Sequence, residues 1–202
     1  MFTERPASKV SISLRSLVSG VGINDADYIV QPSINGVIYM CPYYRIWKCI
    51  LLRCYANNKN LNPTYSGCSV CDNWLVFTNF KKWMKSHDWK GKEIDKDILI
   101  QGNKIYSPET CLFVTRAVNA LTNSKKGRKG KLKQGVVIRG NRFHAQCNAN
   151  GVQVHIGSFN TESEAFTAYK EFKYNHIKEI AEKQSEPLRS ALLKYKIDGD
   201  SK

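Results

Sequence analysis

The 202-residue sequence lacks any run of about 20 apolar residues, the length that a membrane-spanning helix needs. Residues 1–10 also lack a long apolar run, so we expect no signal peptide. These absences predict a cytoplasmic protein without a membrane partner. A second close cysteine pair is missing too, although the chain has seven cysteines.

Acidic residues are scarce beside basic ones. The chain has 17 Asp and Glu against 31 Lys and Arg, a formal net charge of +14, and a pI near 9.5. Such an excess is typical of proteins with a polyanionic partner, most commonly nucleic acid, although some proteins are basic without one. The hydrophobic content of 42% is enough for a core, and the length allows one medium domain or two small ones.

The cysteine spacing favours free thiols. Cys68 and Cys71 form a single CxxC pair, whereas a structural zinc site needs four ligands. The remaining cysteines follow no conventional metal-binding spacing. Buried free cysteines are therefore the favoured interpretation, and structural zinc is the lesser alternative.

Apolar periodicity predicts two helices and a strand in the first half of the chain. The helix that starts at Pro42 places Tyr43, Trp47, Ile50, Leu51 and Cys54 on one face. Helical spacing recurs at Phe77, Phe80, Met84 and His87, and we interpret these aromatics as core packing. The segment from Val10 to Leu17 is predicted to be a strand.

Residues 94–111 carry the most specific local pattern. They predict two short strands, a glycine turn and a helix that starts with Ser107 as its cap and Pro108 at its first position. Acidic side chains of the first strand, Asp95 and Asp97, would then face Glu109 at the helix start. A ββα arrangement of this kind can hold one divalent cation against a phosphate.

This segment resembles the ββα-metal core of HNH nucleases, in the variant found in phage proteins. The matching motifs are Asp95-Lys96-Asp97-Ile98, Gly102-Asn103-Lys104 and Tyr106-Ser107-Pro108-Glu109 with Cys111, and upstream motifs extend the resemblance over residues 20–120. The resemblance implies catalysis by Asp95, Lys96 and Asp97. It implies Mg²⁺ or Mn²⁺ bound by Asp95 or Asp97, whichever faces inward, with Asn103 and Glu109 as partners. Lys96 stands where most HNH nucleases carry their water-activating histidine, and Thr110 stands where an asparagine is usual.

A basic segment separates the two halves of the chain. Residues 123–133 lack apolar periodicity, which predicts a flexible linker. Its cations are Lys125, Lys126, Arg128, Lys129, Lys131 and Lys133. We favour an arm that follows DNA phosphates over a merely solvated loop.

The second half predicts a small sheet packed on one helix. Three short strands are expected at 136–139, 143–147 and 152–156, with a hairpin turn at 148–151. Thr161 and Glu164 form a capping box that starts a helix. The predicted fold class is therefore α+β, with a three-stranded antiparallel sheet on one helix.

This second pattern resembles the plant APETALA-two/ethylene-response-factor DNA-binding domain, which is also found appended to phage HNH homing endonucleases. The match includes Gly135, Ala145, Gly157, Phe159 and Tyr169. The resemblance implies that the sheet enters the major groove of DNA. The residues assigned to DNA contact are Arg139, Arg142, Gln146, Asn148, Gln153 and His155. Arginine hydrogen-bonds guanine and glutamine or asparagine hydrogen-bonds adenine, which suits this role.

The predicted organisation is an HNH-like unit at 1–122, the linker at 123–133, an ethylene-response-factor-like domain at 134–185 and a tail at 186–202. The favoured function is a phage homing-type endonuclease or nickase that acts on duplex DNA in the host cytoplasm. The first alternative is a catalytically inactive DNA-binding regulator or host-interaction protein. The second is an inhibitor that uses its basic surface against an acidic protein.

Overall fold

A computed structural model describes residues 2–56, 65–122 and 132–197 and divides the chain into two compact units, Met1–Phe113 and Val114–Lys202. The helices are α1 (Lys9–Ser13), α2 (Pro42–Tyr55), α3 (Phe77–Lys85), α4 (Arg116–Thr122), α5 (Glu162–Ala181) and α6 (Leu188–Leu193). The strands are β1 (Ser33–Ile34), β2 (Val37–Ile38), β3 (Ser69–Val70), β4 (Glu93–Asp95), β5 (Ile105–Tyr106), β6 (Leu112–Val114), β7 (Val136–Arg139), β8 (Arg142–Ala149) and β9 (Val152–Phe159). The predicted α+β class is confirmed. Within the described ranges, no helix combines the length and apolarity needed to cross a bilayer.

The first unit is built around α2. Pro42 occupies the first turn of this helix, where its fixed φ fits and its missing N–H is not needed. Trp47, Ile50 and Leu51 are buried, as the helical spacing predicted. The indole Nε1 of Trp47 donates a hydrogen bond to the Trp74 carbonyl at 2.6 Å, which satisfies the polar atom of this buried ring.

An aromatic cluster joins α3 to this core. Phe77, Phe80 and Met84 are all fully buried. The Trp74 ring lies 5.0 Å from the Phe80 ring and 4.5 Å from the Trp83 ring between centroids, distances typical of stabilising aromatic pairs. His87 is exposed at the end of the same face, and its Nδ1 lies 2.7 Å from the Trp83 carbonyl oxygen. The predicted helix and its core role are confirmed.

The strand predicted from Val10 to Leu17 is wrong. The Ser8 hydroxyl accepts a hydrogen bond from the Ser11 N–H at 3.1 Å and caps the short helix α1. No residue of α1 is buried, so the alternating apolar residues have no core to line as a strand. Local capping therefore determines the conformation of this segment.

The helix predicted after Ser107 is also wrong. The Cys111 N–H donates to the Ser107 carbonyl at 3.0 Å and closes a single turn, after which the chain extends into β6. β6 pairs with β4, whereas β5 pairs in parallel with β3. Phe113 of β6 is buried in the core, and this burial favours a strand over continuation of the turn. The segment therefore does not have the ββα order that its motifs predicted.

The second unit contains an antiparallel sheet in the order β7-β8-β9. All three predicted strands are present, and the last two are longer than expected. Ala149 pairs with Val152, which leaves Asn150 and Gly151 as a two-residue loop. Both loop residues have positive φ, 53° and 84°, as a type I′ hairpin turn requires. The capping box of Thr161 and Glu164 is also confirmed.

Helix α5 covers one face of this sheet. Val136, Ala145 and Cys147 of the sheet form a buried cluster with residues of the helix that include Tyr169. Gly135, just before β7, has a φ of 77°, and a Cβ there would lie 2.1 Å from the Tyr169 ring. Only glycine fits this position. The opposite face of the sheet carries no helix or strand among the described residues of this unit.

The segment around α4 belongs to this second unit by its contacts. The Tyr195 hydroxyl donates to the carbonyl of Thr122, the last residue of α4, at 2.8 Å. Helix α6, which precedes Tyr195 in the sequence, packs against α5. The second unit thus begins at Val114, before the basic segment.

Candidate nucleic-acid interface

The face of the sheet that points away from α5 is almost entirely polar. Successive side chains of a strand point to opposite faces of its sheet. In β7, β8 and β9, one set of alternating side chains packs into the core against α5, and the other set therefore lies on this face. We call it the outer sheet face. Its residues are Val137, Arg139, Arg142, His144, Gln146, Asn148, Gln153, His155 and Ser158. Every predicted sheet residue for DNA contact lies on it.

A β-bulge in β9 shapes the outer sheet face. Gly157 pairs with Ala145 and His155 pairs with Gln146, so Ile156 has no partner in the ladder. Strict alternation would put His155 and Ser158 on opposite faces, because they are three residues apart. The extra residue brings both outward while Ile156 packs against the core.

His144 is a member of this face that the sequence prediction missed. Its Nδ1 lies 3.1 Å from Nε2 of His155 and 2.9 Å from the Ser158 hydroxyl. Two ring nitrogens at this distance are within hydrogen-bonding range, with one as donor and the other as acceptor. Period-two alternation with Arg142 and Gln146 was the signal that could have identified it.

Two of the predicted side chains are partly used within the sheet. Nη2 of Arg142 donates to the Ser158 carbonyl at 3.0 Å, which orients the guanidinium across the strands. The Asn148 side-chain oxygen accepts the Gly151 N–H at 3.1 Å and leaves the amide NH₂ for another partner. Arg139 and Gln153 are exposed.

The charge around the outer sheet face has one sign. Residues 110–161 contain no aspartate or glutamate. The nearest carboxylates in sequence, Glu162 and Glu164, lie at the start of α5, where Glu164 is engaged in the capping box. Arginine, imidazole and amide donors on an acid-free face suit an anionic, hydrogen-bonding partner.

The predicted linker is described only at its end. Lys125, Lys126, Arg128, Lys129 and Lys131 lie outside the described residues. Lys133 is exposed, and its Nζ lies 5.1 Å from the centroid of the Phe166 ring at the start of α5. This ammonium group contacts an aromatic ring and remains accessible to a phosphate.

In the first unit, the predicted catalytic residues face one another. Asp95 is 8% exposed, and its Oδ1 accepts the N–H groups of Asp97 at 2.8 Å and Ile98 at 2.7 Å. Burial and the neighbouring Asp97 charge raise the pKa of Asp95 to about 6. The carboxylate of Asp95 therefore holds the backbone of the turn after β4.

Lys96 and Asn103 close the loop that joins β4 to β5. Lys96 is buried, and its Nζ donates to Asp97 Oδ2 at 2.9 Å and to the Asn103 carbonyl at 3.0 Å. In return, Nδ2 of Asn103 donates at 2.7 Å to the carbonyls of Lys96 and Ile105. These reciprocal contacts give both side chains a structural role. We call Asp95, Lys96, Asp97 and Asn103 the loop cluster.

Oxygens of the loop cluster that were predicted to bind a divalent cation accept hydrogen bonds within the protein. The Lys96 ammonium already supplies the positive charge beside Asp97, and the Asn103 side-chain oxygen accepts the Ile105 N–H at 3.2 Å. Glu109 is exposed, and a hydrogen bond from Ser107 lowers the pKa of Glu109. In the part of the chain that the structure describes, no three His, Cys, Asp or Glu side chains are grouped to hold a metal. Mg²⁺ or Mn²⁺ binding stays a prediction.

The cysteines of the CxxC pair differ in exposure. Cys68 is buried and Cys71 is half-buried, and all seven cysteines are free thiols. Burial raises the pKa of Cys54 and of Cys111 to about 12. These thiols are therefore protonated and inert near neutral pH. Structural zinc likewise stays a prediction.

Comparisons with known protein families, curated proteins and solved structures give no match to this chain. The resemblances to HNH nucleases and to ethylene-response-factor domains therefore rest on sequence motifs alone. The structure contributes the placement of the predicted residues. It brings the sheet residues together on an open face and engages the loop-cluster residues with one another.

Proposed function

We propose that the second unit binds duplex DNA through the outer sheet face. The observation that carries this proposal is that all six predicted sheet residues project from one acid-free face opposite α5. Strands of a small sheet fit the major groove, which is about 12 Å wide in B-DNA. α5 packs against the opposite face of the sheet, and the capping box of Thr161 and Glu164 determines where this helix begins.

The proposed contacts divide into two kinds. Arg139 is exposed and suits a bidentate contact to guanine, and the amides of Gln146 and Gln153 suit adenine. The imidazoles of His144 and His155 are placed to donate to a phosphate or a base edge. Base contacts give sequence preference, whereas the basic segment before β7 adds affinity that is independent of sequence.

The test is fluorescence anisotropy with the full chain, using random duplex and a site selected from a random pool. Arg139→Ala is expected to weaken binding by about 1–3 kcal/mol at the selected site and by less on random duplex. Lys178 is an exposed residue of α5, on the side of the unit opposite the outer sheet face. Lys178→Ala also removes one positive charge and serves as the control. Equal losses for both variants on both duplexes would leave only a general charge effect.

Metal-dependent nicking of DNA is the second candidate function. The observation that favours it is that Asp95 and Asp97 are close enough for the Asp97 charge to raise the pKa of Asp95, with Lys96 beside Asp97. Supercoiled plasmid incubated with Mg²⁺, Mn²⁺ or EDTA tests this activity. Nicking with metal that Asp97→Asn abolishes would support it. Unchanged plasmid in every arm, together with duplex binding, would support a DNA-binding protein that does not cut.

A further inference from the structure

The first unit contains a cleft that the proposed DNA contacts do not use. Its volume is about 730 Å³, within the range of about 300–1,000 Å³ that is usual for small-molecule sites. It lies between the turn that follows α1 and one side of α2. Three exposed leucines, Leu14, Leu17 and Leu52, line it together with two cations, Arg15 and Lys48. None of the described residues that line it is acidic.

Arg15 is held in place without an anionic partner. Nη1 donates to the carbonyls of Asn24 and Ala26, and Nη2 donates to the Tyr28 carbonyl at 3.0 Å. Among the described residues, no carboxylate lies within ion-pair distance of this guanidinium. The three contacts leave two of its five N–H groups, those of Nε and Nη2, for a ligand. A preoriented guanidinium with free donors suits the paired oxygens of a carboxylate or phosphate.

Ser19 also lies at this cleft, but its hydroxyl is not available to a ligand. Its Oγ is buried and has no hydrogen-bond partner within the described structure. Its backbone has a φ of 52°, a conformation that non-glycine residues rarely adopt. Because this oxygen has almost no accessible surface, a ligand in the cleft does not reach it. Ser19 and Gly20 both have positive φ and form the turn between Val18 and Gly22, which accounts for this conformation.

We propose that this cleft binds a small organic anion with an apolar body, either a carboxylate or a phosphate monoester. Arg15 and Lys48 take the charged group, and Leu14, Leu17 and Leu52 cover the apolar body. The leucines are 78%, 56% and 45% exposed, so a bound apolar chain would remove unfavourable surface from water. The site belongs to the first unit and does not depend on DNA binding by the second.

Isothermal titration calorimetry of the full chain tests the proposal with four probes. Octanoate and octyl phosphate carry the two anionic groups, octanamide is the neutral match, and inorganic phosphate lacks the apolar body. At least one of the two octyl anions is expected to bind with one-to-one stoichiometry. Its affinity should be at least about tenfold higher than that of octanamide or inorganic phosphate, because one charge-assisted hydrogen bond contributes that much. The tighter of the two octyl anions identifies the charged group.

Variants of Lys48 separate binding from folding. Lys48 is half-buried, so Lys48→Gln is expected to fold and to weaken binding of the anion about tenfold, whereas Lys48→Arg retains it. Lys90→Gln, an exposed lysine that does not line the cleft, is the control and leaves binding unchanged. The proposal is overturned if no probe binds, if octanamide binds as tightly as octanoate, or if Lys48→Gln changes nothing. Displacement of octyl phosphate by a short DNA duplex would also overturn it, in favour of a nucleic-acid phosphate.

Discussion

The loop cluster of the first unit and the outer sheet face of the second are both polar, yet Asp95 and Lys96 of the loop cluster are buried whereas much of the outer sheet face is exposed. Lys96 and Asp95 are buried, at 6% and 8% exposure. Lys96 Nζ donates to the Asn103 carbonyl, and Asp95 Oδ1 accepts the N–H of Ile98. Arg139, Gln153 and His155 are exposed and project from a sheet whose other face is already covered. One group holds a loop together, and the other is available to a ligand.

A polar motif can bind a partner only through hydrogen-bonding capacity that the fold leaves unused. A buried lysine with two acceptors keeps one N–H, which burial shields from a phosphate unless the loop opens. An exposed arginine beside amides and imidazoles loses little by exchanging water for a DNA base. The same residue types therefore stabilise the fold in one unit and offer an interface in the other.

The largest effect is expected for Lys96→Ala. The change leaves Asp97 and the Asn103 carbonyl without their buried donor, so the free energy of unfolding of the first unit should fall by about 2–4 kcal/mol. Urea denaturation followed by tryptophan fluorescence measures this, because all four tryptophans of the chain lie in the first unit. DNA affinity of the outer sheet face should remain.

A surface lysine provides the control for this change. Lys92 pairs with the exposed Asp88 in the loop between α3 and β4, four residues earlier in the chain, at 2.7 Å. Lys92→Ala should cost less than about 0.5 kcal/mol, as is usual for exposed ion pairs. If Lys96→Ala were no more destabilising than Lys92→Ala, the structural role assigned to the loop cluster would be wrong.

The second expected effect is confined to the other unit. Gly135→Ala places a Cβ 2.1 Å from the Tyr169 ring at a positive φ, so the second unit should lose about 2–4 kcal/mol. Gly140→Ala is the matched control, because its φ of 60° is also positive but its Cβ would meet open space. That change should cost only about 1 kcal/mol. Amide hydrogen exchange measures the two units separately, and a loss in both would contradict their independence.

Much of the second unit could be predicted from sequence because its signals are local. Alternation, an Asn-Gly turn and a Thr-x-x-Glu capping box each act over a few residues, and all three were found where expected. The β-bulge at Ile156 and the contact between His144 and His155 were not predictable from these signals. They arise from the pairing of two strands, which a local pattern does not specify.

The first unit was less predictable because tertiary contacts override its local signals. Ser107 and Pro108 form a good helix start, but the chain forms a single turn there and continues into β6, since Phe113 is buried in the core. The motif around Asp95 and Asp97 indicated acidic side chains facing inward, and Asp95 does. It did not indicate that Lys96 would be buried with them.

A smaller effect should appear as a pH dependence of the first unit. The pKa of Asp95 is about 6 in the folded chain and about 3.8 when solvated, so the folded state holds the proton more tightly. The resulting stability is present below about pH 4 and is lost as pH rises through about 6, with a total of about 1–3 kcal/mol. Urea midpoints of tryptophan fluorescence between pH 4.5 and 7.5 measure it. Asp95→Asn should flatten this slope, and a variant that kept the wild-type slope would assign it to another group.

The smallest expected effect uses cysteine chemistry to compare the two units directly. Cys49 is the one exposed cysteine of the seven, all of which lie in the described residues, so iodoacetamide should label it first in the native chain. Cys49→Ser should change stability by less than about 0.5 kcal/mol, as is usual for a surface substitution. In that background, labelling of buried Cys111 reports opening of the first unit and labelling of buried Cys147 reports opening of the second. Mass spectrometry of each peptide across a urea series then gives two midpoints. Lys96→Ala should move only the Cys111 midpoint and Gly135→Ala only that of Cys147, whereas joint movement would show that the two units unfold as one.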